Sequence, residues 1–586
     1  MIYLFDTFER EQSLSTNNFL FNDLSLVMNI QRIFAAFISV VVILTLNLSC
    51  KKESPTEIEP IADTFAILPG TAIVEQNYIS GKVLKVSFNG EFLGNSLFDW
   101  SSLDERIATV DERGVVYGLW IGETEIIAKF RDGEGEARCK VTVVDSKPYK
   151  FRIILKNKGA STHSIDRPLE FLSQQAVNRR NRQDIKITET DMPISSDYLR
   201  QIEQVGGIIV AKSKWLNTVV VHNENAIAVE RYRQLPFVQD VIPVWTEYAK
   251  QNNEPIVSVP PGSAIWQNAE SFSFDKEAYK ESWGHLVVNN GGTLHRQGFK
   301  GNEISIAVID GGYEKLDVNP LFSNSKIKEV KSFIFEQPNP YLLDKHGVNV
   351  AGLMAINKPS VYIGTAPEAE YWLFSTDDSD TEFLVEEDYL VNALEYADSI
   401  GIDVVNISLS YDNFEGFMGS YLFEDMDGKT AISSRAANMA FEKGMFIVSS
   451  AGNQNRWVSA PTDAPSVLAV GAVRADSTIT AFSSHGLTID GRVKPDIVSL
   501  GQSSLYIVES DGSISRSRYG TSFSSPIMTG LVACLWQAYP TLTNKELFDV
   551  ILKSANRYAS PLLPYGYGLP DMEYALFLAK EITDKK

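Results

Sequence analysis

Cysteine is scarce in this sequence. Three residues, Cys50, Cys139 and Cys534, stand far apart in a chain of 586, which excludes a disulfide framework and a cysteine-rich zinc site. A basic surplus is also missing. The formal net charge is −21, and no stretch supplies the cationic face that neutralising phosphates would need, so nucleic acid is not an expected partner. Histidine occurs only six times. Apolar residues are plentiful: 44% of the chain is hydrophobic and 11% aromatic, which excludes a disordered or fibrous protein and lets this length bury several cores.

The N-terminus carries an export pattern. Residues 1–27 are polar and mixed in charge, whereas Met28-Asn-Ile-Gln-Arg32 and the apolar run Ile33 to Leu48 have the order of a signal peptide. Met28 is the expected start, and residues 1–50 are read as an extension plus signal. The run ends at Leu46-Asn-Leu-Ser-Cys50, which resembles a bacterial lipobox, with Asn47 departing from its usual leucine. Cys50 is the expected lipidation site, and the resemblance implies an exported lipoprotein held on a membrane facing the periplasm or cell surface. An uncleaved anchor or a secreted form are the alternatives. Residues 51–60, with Pro55 and Pro60, read as a tether.

Residues 61–146 alternate short Val-, Ile- and Thr-rich segments with turn signals such as Asn89-Gly90, the pattern of a β-sandwich. The segment from Trp100 through Ile107-Ala-Thr-Val110 to Val141-Thr-Val143 resembles a bacterial Ig-like module of the Big type. A spacer is the expected role, with Cys139 in its core. Residues 149–250 mix helical spacing, over 168–180 and 196–204, with strand patterns at 207–210, 218–221 and 238–242, giving a small α+β unit. Residues 251–274, holding Pro255, Pro260, Pro261 and Gly262, read as a linker.

The chemistry sits in residues 275–586. Glu303-Ile-Ser-Ile-Ala-Val-Ile-Asp310-Gly-Gly312 is an apolar run ending in an acid, as in a buried parallel strand whose C-terminal end faces an active site. His346 stands before Gly347 at the entry to an apolar helix. Gly520-Thr-Ser522-Phe-Ser-Ser-Pro526 reads as a tight turn opening another, which places Ser522 where free N–H groups and the helix dipole stabilise negative charge. A helix-capping serine is the alternative reading of Ser522. The chain order Asp310, His346, Ser522 is one of the convergent orders of a serine-protease triad.

These three motifs resemble those of the subtilases. Asp310-Gly-Gly312, His346-Gly-Val348 and Gly520-Thr-Ser-Phe-Ser-Ser-Pro526 carry the likeness, with Ser449-Ser-Ala-Gly-Asn453 similar to the family's oxyanion-hole motif and Val404-Val-Asn-Ile-Ser-Leu-Ser410 to its substrate-pairing strand. Val348, Ser524 and Gly311 depart from the usual residues. The resemblance implies an α/β fold, a parallel-sheet subtilisin-like catalytic domain preceded by the β-sandwich and a propeptide-like α+β domain. It implies a serine endopeptidase with Asp310, His346 and Ser522 as catalytic residues, Asn453 in the oxyanion hole and Ser408, Leu409 and Ser410 binding substrate. Protein or peptide substrates, self-processing in the 251–274 linker and a monomer are expected. Structural calcium is compatible with the resemblance, but no metal ligand is assigned: the acidic stretches Asp377–Asp380 and Glu386–Asp388 read as solvated loops or helix faces. A non-catalytic scaffold and a protease that cleaves only its own propeptide are the rival functions.

Overall fold

The computed structural model describes residues 65–586 apart from 77–80, 132, 134, 145–148, 225–227, 248–275, 380, 416–419, 503, 504 and 517. The signal, Cys50, the tether and the 251–274 linker lie outside the described residues. Among the described residues, no helix is long and apolar enough to cross a membrane.

Short strands from Phe65 to Val144 form the first unit, the longest being the antiparallel pair Gly122–Phe130 and Glu136–Val144. Their alternating residues bury Ile126, Ala128, Ala137, Cys139 and Val141 in one core. Burial pushes the Cys139 thiol pKa up, which suits an unreactive core residue.

The next unit is a four-stranded antiparallel sheet, ordered β2-β3-β1-β4, built from β1 (Tyr149–Leu155), β2 (Ile208–Ser213), β3 (Thr218–Asn223) and β4 (Val238–Thr246). Helices α1 (Gln174–Arg182) and α2 (Ser196–Val205) accompany it. The helical spacing seen from Pro168 resolves into a short 3-10 turn, Pro168–Glu170, and then α1. Ser173 makes the break by capping α1, its hydroxyl accepting from the Ala176 N–H. Both faces of the sheet are covered. Tyr149, Phe151 and Ile153 point into the unit's own core, while Lys150 and Arg152 between them meet Glu336 and Asp388 of the last unit.

That unit is built on seven strands: β5 (Ser305–Asp310), β6 (Lys326–Ser332), β7 (Glu370–Ser375), β8 (Val404–Ile407), β9 (Phe446–Ser450), β10 (Val467–Val473) and β11 (Ile497–Leu500). They pair in parallel throughout, in the order β6-β7-β5-β8-β9-β10-β11. From β8 to β11 every residue is buried, because helices cover both faces. Helices α3 (His346–Ala355) and α6 (Thr521–Ala538) pack on one face. Helices α4 (Val385–Ile400) and α5 (Ile432–Glu442) pack on the other, where Ala211, Trp215, Val220 and Val244 of the preceding unit join the same core. The chain leaves β5 for β7 and β6 on one side and returns to β8 on the other. That reversal opens a crevice at the C-terminal end of β5.

A buried ionic cluster ties the small sheet unit to the large one. Arg179 and Arg180 of α1 both reach the carboxylate of Asp398 near the end of α4, and Arg180 and Lys443 both reach Asp191. Arg179, Arg180, Asp191 and Asp398 are no more than 2% exposed. Removing one partner strands the rest without compensation, a loss of about 3–5 kcal/mol. Asp398→Ala is therefore expected to lower the unfolding midpoint of the uncleaved chain in a urea titration. A midpoint equal to that of the parent would contradict this account of the contact.

Candidate active site

Asp310 ends β5, with its partner in β7, Ser375, directly opposite. It is fully buried. Its Oδ1 accepts from the Gly311 N–H at 2.9 Å and pairs with His346 Nδ1 at 2.8 Å, while Oδ2 is buried without a hydrogen-bond partner. His346 is the first residue of α3, and its side chain is 27% exposed, so one edge of the ring is open to the crevice. Gly347 makes the approach possible. A Cβ there would lie 2.4 Å from the Gly312 carbonyl oxygen and 3.1 Å from Asp310 Cβ. Burial lowers the His346 pKa, but the Asp310 carboxylate beside it outweighs burial and the net shift is upward.

Ser522 is the second residue of α6, and Gly520 caps that helix without a side-chain bond. Ser522 is thus inside the first turn and is not the cap, and its N–H has no acceptor within the helix. The ring of Phe523, next in the chain after Ser522, lies 5.7 Å from the His346 ring. Among the described residues the Ser522 hydroxyl makes no hydrogen bond, a looseness common before substrate binds. Pro526 lacks the N–H that would meet the Ser522 carbonyl. Ser408 takes that place, donating its hydroxyl to Ser522 O at 3.2 Å.

The Ser408 side chain is therefore buried and engaged within the protein. Asn406, fully buried in β8, donates to Ser408 Oγ at 3.0 Å and accepts from Ser525 Oγ at 2.6 Å and Thr529 Oγ1 at 3.1 Å. Sequence reasoning passed over Asn406. Its signal was a lone amide inside an apolar strand, a group that must be hydrogen-bonded to be tolerated there. Leu409 and Ser410 are half-buried just beyond the end of β8.

Asn453 follows β9 and is exposed. Its Oδ1 accepts from the Thr521 N–H at 2.9 Å and from Thr521 Oγ1 at 3.0 Å. With the oxygen held, the amide nitrogen points away from Thr521 and is available as a donor. The departures from the family motif are accommodated. Val348 is buried in the core, Ser524 donates to the Thr521 carbonyl, and a Cβ on Gly311 would make only ordinary contacts, at 3.7 Å or more.

Of the two acidic stretches expected to be solvated, the one at 377–380 leaves Asp377 and Asp378 half-buried and Ser379 exposed, with Asp380 outside the described residues, whereas the one at 386–388 is buried. Glu386, Glu387 and Asp388 are at most 4% exposed. They sit in the first turn of α4, where the helix dipole favours anions. Asp388 pairs with Arg152, and Glu387 accepts from Ser433 and Tyr421. Glu386 groups with Asp377 and Glu382. Burial, with repulsion from neighbouring carboxylates, raises the pKa of all three, and a hydrogen bond between the Asp377 and Glu386 carboxyl groups pulls Asp377 down while pushing Glu386 further up.

Comparison with known proteins supplies the context. Residues 301–568 match the model of the subtilase family, 150–258 that of the Peptidase S8 propeptide domain of Bacteroidota, and 72–141 that of a group 2 bacterial Ig-like domain. Subtilisin E of Bacillus subtilis is 29% identical over 289 residues, which is 48% of this chain and 68% of that protein. An alkaline protease of Shouchella clausii is 26% identical over 373 residues, 62% of this chain and 88% of that one. The epidermin leader peptide processing serine protease of Staphylococcus aureus shares the fold, with a TM-score of 0.50, 16% identity, and coverage of 74% of this chain and 99% of its own.

Proposed function

Residues 301–568 belong to the subtilase family and make the chain a subtilisin-like serine endopeptidase, and from that premise we propose that Asp310, His346 and Ser522 perform the hydrolysis. The observation that carries the assignment is the 2.8 Å bond between Asp310 Oδ1 and His346 Nδ1, beside a serine in the first turn of a helix. Ser522 Oγ attacks a peptide carbonyl and its proton passes to His346 Nε2. Asp310 holds the ring with its Nδ1–H inward and stabilises the imidazolium. The oxyanion receives the Ser522 N–H and the Asn453 side-chain N–H. His346 returns the proton to the leaving amine, then takes one from the water that hydrolyses the acyl-enzyme. Leu409 and Ser410 flank the peptide, and Ser408 steadies Ser522 from behind.

The unit over 149–250 acts as an inhibitory propeptide. It packs on α4 and shares a core with the peptidase, and the chain joining the two contains the proposed maturation site in 251–274. The Ig-like unit over 61–146 is a spacer between this pair and a membrane, with Cys50 as the lipidated anchor of an exported, monomeric protein. Cleavage of an unrelated peptide library by the purified mature enzyme tests the reading. Turnover supports a general endopeptidase; maturation without any cleavage in trans would reduce it to self-processing.

The raised His346 pKa fixes the pH profile. The base must be neutral, so kcat/KM is expected to rise with pH along an acid limb whose pKa lies above the ordinary 6.5. Stability runs the other way: a histidine held charged by its partner stabilises the fold below its unfolded pKa, and that contribution fades as pH rises through the folded pKa. Asp310→Asn is expected to move the limb down. A limb at or below 6.5 in the parent enzyme would contradict the coupling.

A further inference from the structure

A tryptophan of the Ig-like unit is buried in the core of its neighbour. Trp120 lies between the strands Val115–Gly118 and Gly122–Phe130, is 2% exposed, and stands apart from the Ig-like core around Cys139. It packs with Tyr149, Phe151 and Tyr232 of the small sheet unit. Its ring lies 5.1 Å from that of Phe151, and the guanidinium of Arg233, at the end of the helix Ala228–Arg233, lies 4.6 Å over it. Ile107 and Ile121 of the Ig-like unit pack against the same core.

Both sides of this contact are fixed. The Leu119 and Trp120 N–H groups donate to the Ile107 carbonyl at 2.8 and 2.9 Å, and Gln76 Nε2 donates to the Leu119 carbonyl at 2.8 Å. Arg233 is tied to the sheet, donating to the Val241 carbonyl at 3.3 Å. A spacer on a free joint would leave the tryptophan in water and the Phe151 ring uncovered, and both are unfavourable.

Strand β1 carries the consequence to the peptidase. Because side chains alternate along a strand, Tyr149, Phe151 and Ile153 share the core with Trp120 while Lys150 and Arg152 face the other way, to Glu336 and Asp388. The strand is clamped between the Ig-like unit and the peptidase. Lys150 and Arg152 are buried, and a buried ion pair offsets its desolvation only while its geometry is kept. Loosening β1 on its Ig-like face therefore loosens its hold on the peptidase.

We propose that the Ig-like unit is more than a spacer and is a working part of the inhibitor: through Trp120 it completes the core of the 149–250 unit, so that the two units fold and hold the peptidase as one body. The proposal rests on the reading of 149–250 as an inhibitory propeptide.

The test uses the full chain carrying Ser522→Ala, which stays uncut. Hydrogen exchange is followed by mass spectrometry in peptides covering β1 and Ala228–Arg233, with Glu136–Val144 reporting on the Ig-like core. Trp120→Ala is expected to speed exchange in β1 and in 228–233 by about tenfold or more, since truncating a buried tryptophan is among the costliest core changes, and to leave Glu136–Val144 as in the parent. Trp120→Phe, which keeps an aromatic ring, should restore most of the protection. Cys139→Asp instead puts a charge into the apolar Ig-like core. Although that core is separate, β1 should loosen with it. If β1 exchanges at the parent's rate in Trp120→Ala, or in a Cys139→Asp chain whose Glu136–Val144 has melted, the single body is overturned. Chains with Ser522 intact test the inhibition. Hydrolysis of a fluorogenic peptide is followed alongside the cut on a gel; the parent should show a lag between cut and activity, and Trp120→Ala should shorten it. A lag unchanged by Trp120→Ala would overturn the part of the Ig-like unit in inhibition. A parent with no lag would instead overturn the inhibitory reading of 149–250, a separate failure that the exchange result does not share.

Discussion

Ser522→Ala is expected to abolish peptide hydrolysis and leave the chain as an uncut precursor, while the wild type loses the region before about residue 275. The loss in kcat should reach about 10^6-fold, the figure measured when the serine or histidine of a subtilisin triad is removed, because the remaining members cannot act without the nucleophile. The substitution removes one oxygen from a half-exposed position whose hydroxyl bonds nothing among the described residues, so folding should be unaffected. The hydrogen bonds that hold this turn use other atoms: the Ser522 carbonyl, Thr521 and Asn406. Incubating both purified precursors and following their sizes on a gel decides the matter. Equal processing of the two would remove the autocatalytic claim.

The second large effect is expected at Asn453. If its amide donates to the oxyanion, Asn453→Ala should lower kcat by about 10^2- to 10^3-fold, the loss measured for the equivalent subtilisin donor, with KM little changed, since the bond forms mainly in the transition state. An alternative is that Asn453 is merely a turn residue favoured by a left-handed backbone. The left-handed positions in this turn are Gly452 and Asn455, so that alternative has no support in the backbone. Alanine also removes the acceptor for the Thr521 N–H and hydroxyl, each bond contributing about 0.5–1.5 kcal/mol. Asn453→Asp separates the two roles, because it keeps the acceptor oxygen and loses the donor. It should retain the parent's melting behaviour and still lose kcat. Unchanged kcat in Asn453→Asp would remove Asn453 from the oxyanion hole.

What the sequence revealed follows from how local each signal was. A buried parallel strand is legible because its apolar run is continuous, and β5 ends in an acid for the same reason that crevices form at strand C-termini. The glycines at 347 and 520 mark places where backbone must come close or turn sharply. The doublet Arg179-Arg180 gave no hint of burial, because its partner Asp398 lies 218 residues beyond Arg180. Periodicity sees a helix there and nothing of what it touches. Ser408 shows a subtler limit. Likeness to the family's substrate-pairing strand gave the expectation at Ser408, but it said nothing of the side chain, whose hydroxyl goes to the Ser522 carbonyl left without the Pro526 N–H, a link that exists only once β8 and α6 are packed. The acids at 386–388 misled for a similar reason, since a charged triplet looks solvated until Arg152, Ser433 and Tyr421 are placed around it.

The central claim is that Ser522 is a nucleophile activated by His346. Reaction of the folded chain with a fluorophosphonate, followed by digestion and mass mapping, tests it most directly, because the reagent phosphonylates only a serine whose proton a neighbouring base removes. One adduct is predicted, on the peptide containing Ser522, lost in His346→Ala and in Ser522→Ala. A folded wild-type chain that takes no label, or takes it on a different serine, would contradict the account.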